Sequence, residues 1–141
     1  TKPKILICGV NPHAGEDGLL GKEEIDIIIP AVESLKKKGI AIDGPVPADT
    51  AFIKKFINKY DVIHTMYHDQ GLPVIKFDDF SRTTNVTLGL PLIRTSVDHG
   101  TAFDRASQFN ADSGSLEAAI ELAICFVSNS YRSRTHRSCR S

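Results

Sequence analysis

An α/β fold with a mostly parallel sheet is the class that this 141-residue sequence predicts, and three observations predict it. Short apolar runs at residues 4–8, 40–43, 62–66 and 73–77 read as buried strands. Segments with apolar residues at helical spacing lie among them, and strands that alternate with helices build layered, largely parallel sheets. The hydrophobic fraction of 41% is enough at this length for one core and one domain, expected over residues 1–128. No stretch is long and apolar enough to span a bilayer, so a soluble protein without a membrane partner is expected.

Taken in order, residues 4–8 end at Gly9 and deliver Asn11 to Gly21 as a loop. Gly15, Gly18 and Gly21 are spaced G-x-x-G-x-x-G, unlike a dinucleotide turn, and admit either a phosphate cradle or a flexible turn. From Lys22 onward Ile25, Ile28, Ile29, Val32 and Leu35 follow a helical period. Glu23 and Glu24 at its start and Lys36 to Lys38 before Gly39 suit the helix dipole. Pro30 lies inside this helix and predicts a kink without moving its boundary. Residues 40–43 form the next strand. Gly44-Pro45-Val46-Pro47 is a rigid connection to a second helix, capped by Asp49, whose Phe52, Ile53, Phe56, Ile57 and Tyr60 are core.

Residues 62–66 lead into a loop at His68, and residues 73–77 read as one more strand. Leu116, Ala119, Ile120, Ala123, Ile124 and Val127 mark a final helix that Ser115 caps and that ends near Ser128. Residues 129–141 are rich in serine and arginine, have no apolar period and are expected to be disordered. An RNA-binding or lipid-binding tail and an artificial end are both open readings, and the tail is assigned no function.

The formal net charge of zero hides an asymmetry. All 17 acidic residues precede position 122, whereas Arg132, Arg134, Arg137 and Arg140 crowd the end. The body is mildly acidic, which excludes a basic face for nucleic acid. Cys8, Cys125 and Cys139 are odd in number and lack C-x-x-C spacing, which argues against a disulfide framework and a thiolate zinc site and for the cytoplasm. Thr1-Lys2-Pro3-Lys4 runs straight into a strand with no cleavage pattern, as in a chain cut within a domain.

In parallel α/β sheets ligands gather at the carboxyl ends of strands. That rule singles out His13, in Asn11-Pro12-His13-Ala14-Gly15-Glu16, and His68, in Met66-Tyr67-His68-Asp69-Gln70-Gly71. Imidazoles are good ligands for divalent metals, but these two have no local metal-motif spacing, so metal ligands and hydrogen-bonded loop histidines are both open. His64 falls within a strand and reads as a packed or cross-strand residue. His99, in Asp98-His99-Gly100-Thr101-Ala102, suits either catalysis or packing against an adenine ring.

These runs resemble the NAD-dependent 4-hydroxythreonine-4-phosphate dehydrogenases of vitamin B6 synthesis. The likeness covers nearly all of residues 4–127. It includes Glu23-Glu24-Ile25-Asp26, Gly44-Pro45-Val46-Pro47-Ala48-Asp49-Thr50, Gly71-Leu72-Pro73-Val74-Ile75-Lys76, Asn85-Val86-Thr87-Leu88-Gly89-Leu90-Pro91 and Ile93-Arg94-Thr95-Ser96. The resemblance implies a three-layer fold of the isocitrate and isopropylmalate dehydrogenase type, of which this chain is the C-terminal part.

By resemblance, His13 and His68 are two of three histidine ligands to a divalent metal: zinc, alternatively magnesium or cobalt. Lys76, Asn85 and Arg94 match substrate-binding positions, with Lys76 also acting in proton transfer. Asp98, His99, Gly100 and Thr101 match a segment that binds NAD, with Asp98 or Asp104 on the ribose hydroxyls. The implied reaction oxidises the 3-hydroxyl of 4-phosphooxy-L-threonine to a keto acid that loses carbon dioxide to give 3-amino-2-oxopropyl phosphate. The family's third metal histidine and its Gly-His-Thr motif have no counterpart here, so this chain alone is expected to be inactive. A homodimer with a shared active site is expected of the complete enzyme. A sister dehydrogenase of erythronate or threonate 4-phosphate and a non-catalytic binding module are the alternatives.

Overall fold

A computed structural model describes residues 2–101, 103–108 and 110–138. The chain divides into two compact units, Thr1–Val74 and Ile75–Ser141.

In the first unit, strands β1 (Lys4–Cys8), β2 (Ala41–Val46) and β3 (Val62–His64) form a parallel sheet in the order β2-β1-β3. β1 alternates, and each set of side chains finds its own layer. Leu6 and Cys8 are buried with Ala51, and Phe52, Phe56 and Tyr60 pack against them. On the other face Ile5 and Ile7 pack against Ile28, Val32 and Ile42. Burial also raises the Cys8 thiol above its ordinary pKa, so this cysteine is an inert core residue.

The connections differ in detail from expectation. The segment after Lys22 opens as a π turn, Glu24–Ile28, before α1 (Ile29–Lys37) begins. Ile28 and Ile29 at the junction are both right-handed helical, so Pro30 lies inside one continuous helical run as expected, and the irregularity expected there takes the form of the π turn just before it. The expected second helix is two short pieces, α2 (Ala48–Ala51) and α3 (Lys54–Ile57), interrupted where Ile53 is extended. Asp49 does not cap α2, whose preceding residue is Pro47. Ile53 and Ile57 are exposed, so only Phe52, Phe56 and Tyr60 of the expected stripe reach the core. Gly44 and Pro45 join by a cis bond inside β2, not in a linker after it. His64 lies opposite Ile7 across the sheet and is exposed, so it is a cross-strand residue and not a packed one.

Residues 73–77 are not a strand. They belong to α4 (His68–Asp79), in which Gly71 is buried against Thr65. A short apolar run fits either structure, and the close seat of Gly71 selects the helix. Asp79 Oδ1 accepts from the backbone N–H of Ser81 at 3.0 Å and of Arg82 at 3.2 Å just past the helix end.

The second unit contains an antiparallel ribbon of β4 (Thr84–Thr87) and β5 (Arg94–Val97), the short helix α5 (Phe103–Ala106) and the long helix α6 (Gly114–Ser138). Thr95 Oγ1 donates to the Ala119 carbonyl at 2.8 Å, which fixes one face of the ribbon on α6. Ser115, expected as a cap, is instead buried inside α6; its hydroxyl donates to the Thr83 carbonyl at 2.6 Å and accepts from the Asp98 N–H at 3.3 Å. α6 also continues ten residues past the expected end at Ser128, through a stretch without Gly or Pro to stop it. Residues 139–141 and the side chain of Asp104 lie outside the described residues.

Candidate functional site

Because β1 lies between β2 and β3, the loops after β1 and β3 leave adjacent strands at the same edge of a parallel sheet. His13 follows β1 and His68 opens α4 after β3, so the structure brings both sequence-predicted histidine loops to the place where α/β sheets bind ligands. Gln70 stitches the loops together: its Nε2 donates to the Gly9 carbonyl at 2.7 Å and its Oε1 accepts from the Met66 N–H at 2.8 Å. A cavity of about 250 Å³ opens there, lined by Asn11, His13, Asp49, Tyr67 and Gln70 among others.

Both imidazoles are exposed. His68 Nδ1 lies 2.6 Å from Asp69 Oδ1, and since a carboxylate only accepts, the ring donates from Nδ1 and keeps Nε2 for a ligand. His13 Nδ1 is a longer 3.5 Å from Glu16 Oε1. Two imidazoles are suitable donors for zinc, but among the described residues no group of three or more His, Cys, Asp or Glu is placed to hold a metal ion. Among the described residues, then, the two imidazoles do not by themselves make up a three-donor set.

The backbone that carries His13 is unusual. His13, Ala14, Gly15, Glu16 and Asp17 run consecutively through the left-handed region, with φ between 47° and 83°. That conformation costs an L-residue roughly 1–2 kcal/mol, hence about 4–8 kcal/mol for the four that are not glycine. Glu24 offsets it. This carboxylate is only 2% exposed; Oε1 accepts from the N–H of Val10 at 2.7 Å and of Asn11 at 2.8 Å, and Oε2 accepts from Asn11 Nδ2 at 2.9 Å. Burial pushes the Glu24 carboxyl up, but the bonds from Asn11 and Val10 outweigh it and hold the group below its ordinary value.

Gly9 and Gly15 clear the space, since a Cβ on either would fall 2.8 Å and 2.6 Å from the Glu24 oxygens. Of the three spaced glycines of this loop, Gly15 therefore makes room for a carboxylate of the protein itself, while Gly18 lies by Ile25 and Gly21 by Asn11 and Glu23. With the Val10 and Asn11 amides committed to Glu24, and Glu16, Asp17 and Glu23 nearby in sequence, the open reading of a phosphate cradle is not supported. Sequence reasoning placed Glu24 as a dipole-favouring charge and gave Gln70 no role. Only burial distinguishes them.

The substrate-binding candidates lie in the second unit. Asn85 pairs with Ser96 and Arg94 with Thr87, so all four share one face of the β4–β5 ribbon, opposite the face that Thr95 presents to α6. Arg94 Nη1 donates to Thr87 Oγ1 at 2.8 Å. Lys76 Nζ stands 3.6 Å from Asp98 Oδ2, just past the end of β5, and 5.6 Å from the centre of the Phe80 ring. That carboxylate oxygen is buried without a hydrogen bond of its own. Asp98 thus faces Lys76. His99 Nδ1 is 2.9 Å from the Gly100 carbonyl oxygen, and Gly100 borders open space. A separate cavity of about 390 Å³ is lined by Phe80, His99, Arg105, Ala111 and Asp112. Thr101 is exposed.

A family model described as pyridoxal phosphate biosynthetic protein PdxA matches residues 1–123. A 4-hydroxythreonine-4-phosphate dehydrogenase of Pseudoalteromonas translucida is 60% identical over 123 residues, which is 87% of this chain and 37% of that protein. The crystal structure of the Klebsiella pneumoniae 4-hydroxythreonine-4-phosphate dehydrogenase superposes with a TM-score of 0.74 at 51% identity, over 86% of this chain and 37% of that one. A terephthalate 1,2-cis-dihydrodiol dehydrogenase from Burkholderia xenovorans superposes at 0.64 with 35% identity, over 87% of this chain and 39% of that one. The chain spans well under half the length of each of these proteins.

Proposed function

The chain belongs to the pyridoxal phosphate biosynthetic protein PdxA family, and from that premise we propose that it is part of an NAD-dependent 4-hydroxythreonine-4-phosphate dehydrogenase. The observation that carries the proposal is the clustering of Asn85 and Arg94 on one face of the β4–β5 ribbon, with Lys76 held by Asp98 beside the end of β5. Arginine and lysine are the natural partners of phosphate and carboxylate, and the substrate carries both. Arg94 and Asn85 bind and orient it. Lys76, acting as the neutral amine, takes up the proton of the 3-hydroxyl as the alcohol is oxidised, and Asp98 stabilises the ammonium so formed.

A divalent metal, zinc or alternatively magnesium or cobalt, would act as a Lewis acid on the hydroxyl, and NAD would accept the hydride. His13 and His68 would supply two of the metal's donors, and the remainder would come from the part of the enzyme that this chain does not span. His99, Gly100 and Thr101 would border the nicotinamide dinucleotide. The keto acid formed loses carbon dioxide to give 3-amino-2-oxopropyl phosphate. The layering of the wider isocitrate and isopropylmalate dehydrogenase fold, a homodimer with a shared site and a cytoplasmic location belong to the same proposal.

The likeness to a dihydrodiol dehydrogenase favours a second reading, since one fold then serves different alcohols. Erythronate or threonate 4-phosphate are the competing substrates. Titration of each phosphate into the chain, followed by amide NMR shifts, decides between them. Arg94→Ala should weaken binding of the preferred phosphate at least about tenfold, the equivalent of one charge-assisted hydrogen bond. Binding that ignores both Arg94→Ala and Lys76→Ala would sink the assignment.

A further inference from the structure

We infer that Glu24 is the positioning residue of the His13 turn: its buried carboxylate holds His13 in the left-handed conformation that presents the imidazole at the carboxyl end of β1. Four residues with side chains do not remain in that conformation by their own preference. The turn's own contacts are local: Leu19 N–H donates to the Glu16 carbonyl at 3.1 Å and Leu20 N–H to the Gly15 carbonyl at 3.0 Å. Ala14 N–H donates to the Asn11 carbonyl at 3.1 Å, and the His13–Glu16 approach is a long 3.5 Å.

Glu24 meets the segment on three sides. It receives the Val10 and Asn11 amides at the entry, receives the Asn11 side chain, and lies where a side chain on Gly9 or Gly15 would have to be. Asn11 Nδ2 also donates to Glu23 Oε2 at 2.6 Å, so the entry residue is held between two carboxylates. Glu24 touches no reacting group itself, and it acts through His13. Its functional consequence rests on the reading of His13 as a metal ligand.

The test uses the whole 141-residue chain as wild type, Glu24→Ala, Glu24→Gln and His13→Ala. Residue-resolved amide hydrogen exchange without metal is combined with Co(II) titration followed by the ion's visible absorption. Glu24→Ala should speed exchange at Val10, Asn11, Ala14, Leu19 and Leu20 about tenfold or more, matching the loss of one or more hydrogen bonds to a charged group. Ile5 to Ile7 in the sheet should change little. The same variant should raise the Co(II) dissociation constant by about tenfold, approaching the effect of His13→Ala. Glu24→Gln keeps an acceptor oxygen for the two amides and should restore most of both.

Unchanged exchange in the turn, or an equal rise throughout β1, overturns the proposal. So does a loosened turn with wild-type Co(II) affinity when His13→Ala does weaken binding. If His13→Ala leaves Co(II) binding untouched, the metal reading fails, and the exchange pattern alone decides whether Glu24 holds the turn.

Discussion

The least replaceable groups around His13 are not the ones with chemistry to perform. Gly15 has φ +83°, and a methyl group there would fall 2.6 Å from Glu24 Oε2. Gly15→Ala should therefore destabilise the chain by at least about 1–2 kcal/mol from conformation alone, read as a lower urea midpoint at unchanged slope. Glu24 carries a pH signature. Its folded carboxyl lies below the ordinary value, so it stabilises fully above the unfolded carboxyl range near about pH 4.3 and loses that contribution as the pH falls through the folded value. Wild type should lose stability over that acid interval, and Glu24→Gln should be flatter there; equal slopes would contradict the hydrogen-bond pattern. The histidines were legible in the sequence because they follow apolar runs. The carboxylate was not, because a glutamate at a helix start looks the same whether it faces water or the loop behind it.

Among the elements, the three strands of the first unit were read from their apolar runs, whereas β4 and β5, which are short and mostly polar, were not foreseen. Residues 4–8 became β1 as expected, and the run at 40–43 became β2, extended to Val46. The run at 73–77 became part of α4 because Gly71 needs to sit against Thr65, a tertiary contact with no trace in local composition. α6 misled in another way. Leu116, Ile120, Ile124 and Val127 follow the expected period yet are exposed, and the side turned inward begins with Ser115 and Ala119. Ser115→Ala removes the buried partner of both the Thr83 carbonyl and the Asp98 amide. It should cost about 1–3 kcal/mol, measured by chemical denaturation, and should loosen the loop that carries Asp98. An unaffected midpoint would show that water takes over both bonds.

At the scale of the whole molecule, the two units hold different parts of the proposed chemistry: the histidines in Thr1–Val74, the phosphate-binding cations in Ile75–Ser141. Neither carries a full set of groups. Among the described residues there is no three-donor metal cluster. We expect the chain alone to show no NAD reduction with 4-phosphooxy-L-threonine, with or without added zinc, in an assay of NADH absorbance. Turnover by the chain alone would mean that the missing donors are dispensable. Among the described residues no helix is long and apolar enough to cross a membrane.

The sequence by itself determined the α/β class, the helix and strand periods that build both faces of β1, and the motif runs that mark the family. Those features are local, written in spacing and in uninterrupted stretches of residues. Only the tertiary structure decided that Glu24 is buried, that Gln70 joins the two histidine loops, that Asn85 and Arg94 share a face, and that Asp98 turns toward Lys76. Each of these depends on which segments meet in space, and a polar residue acquires such a role only when folding removes it from water and leaves it one partner to find.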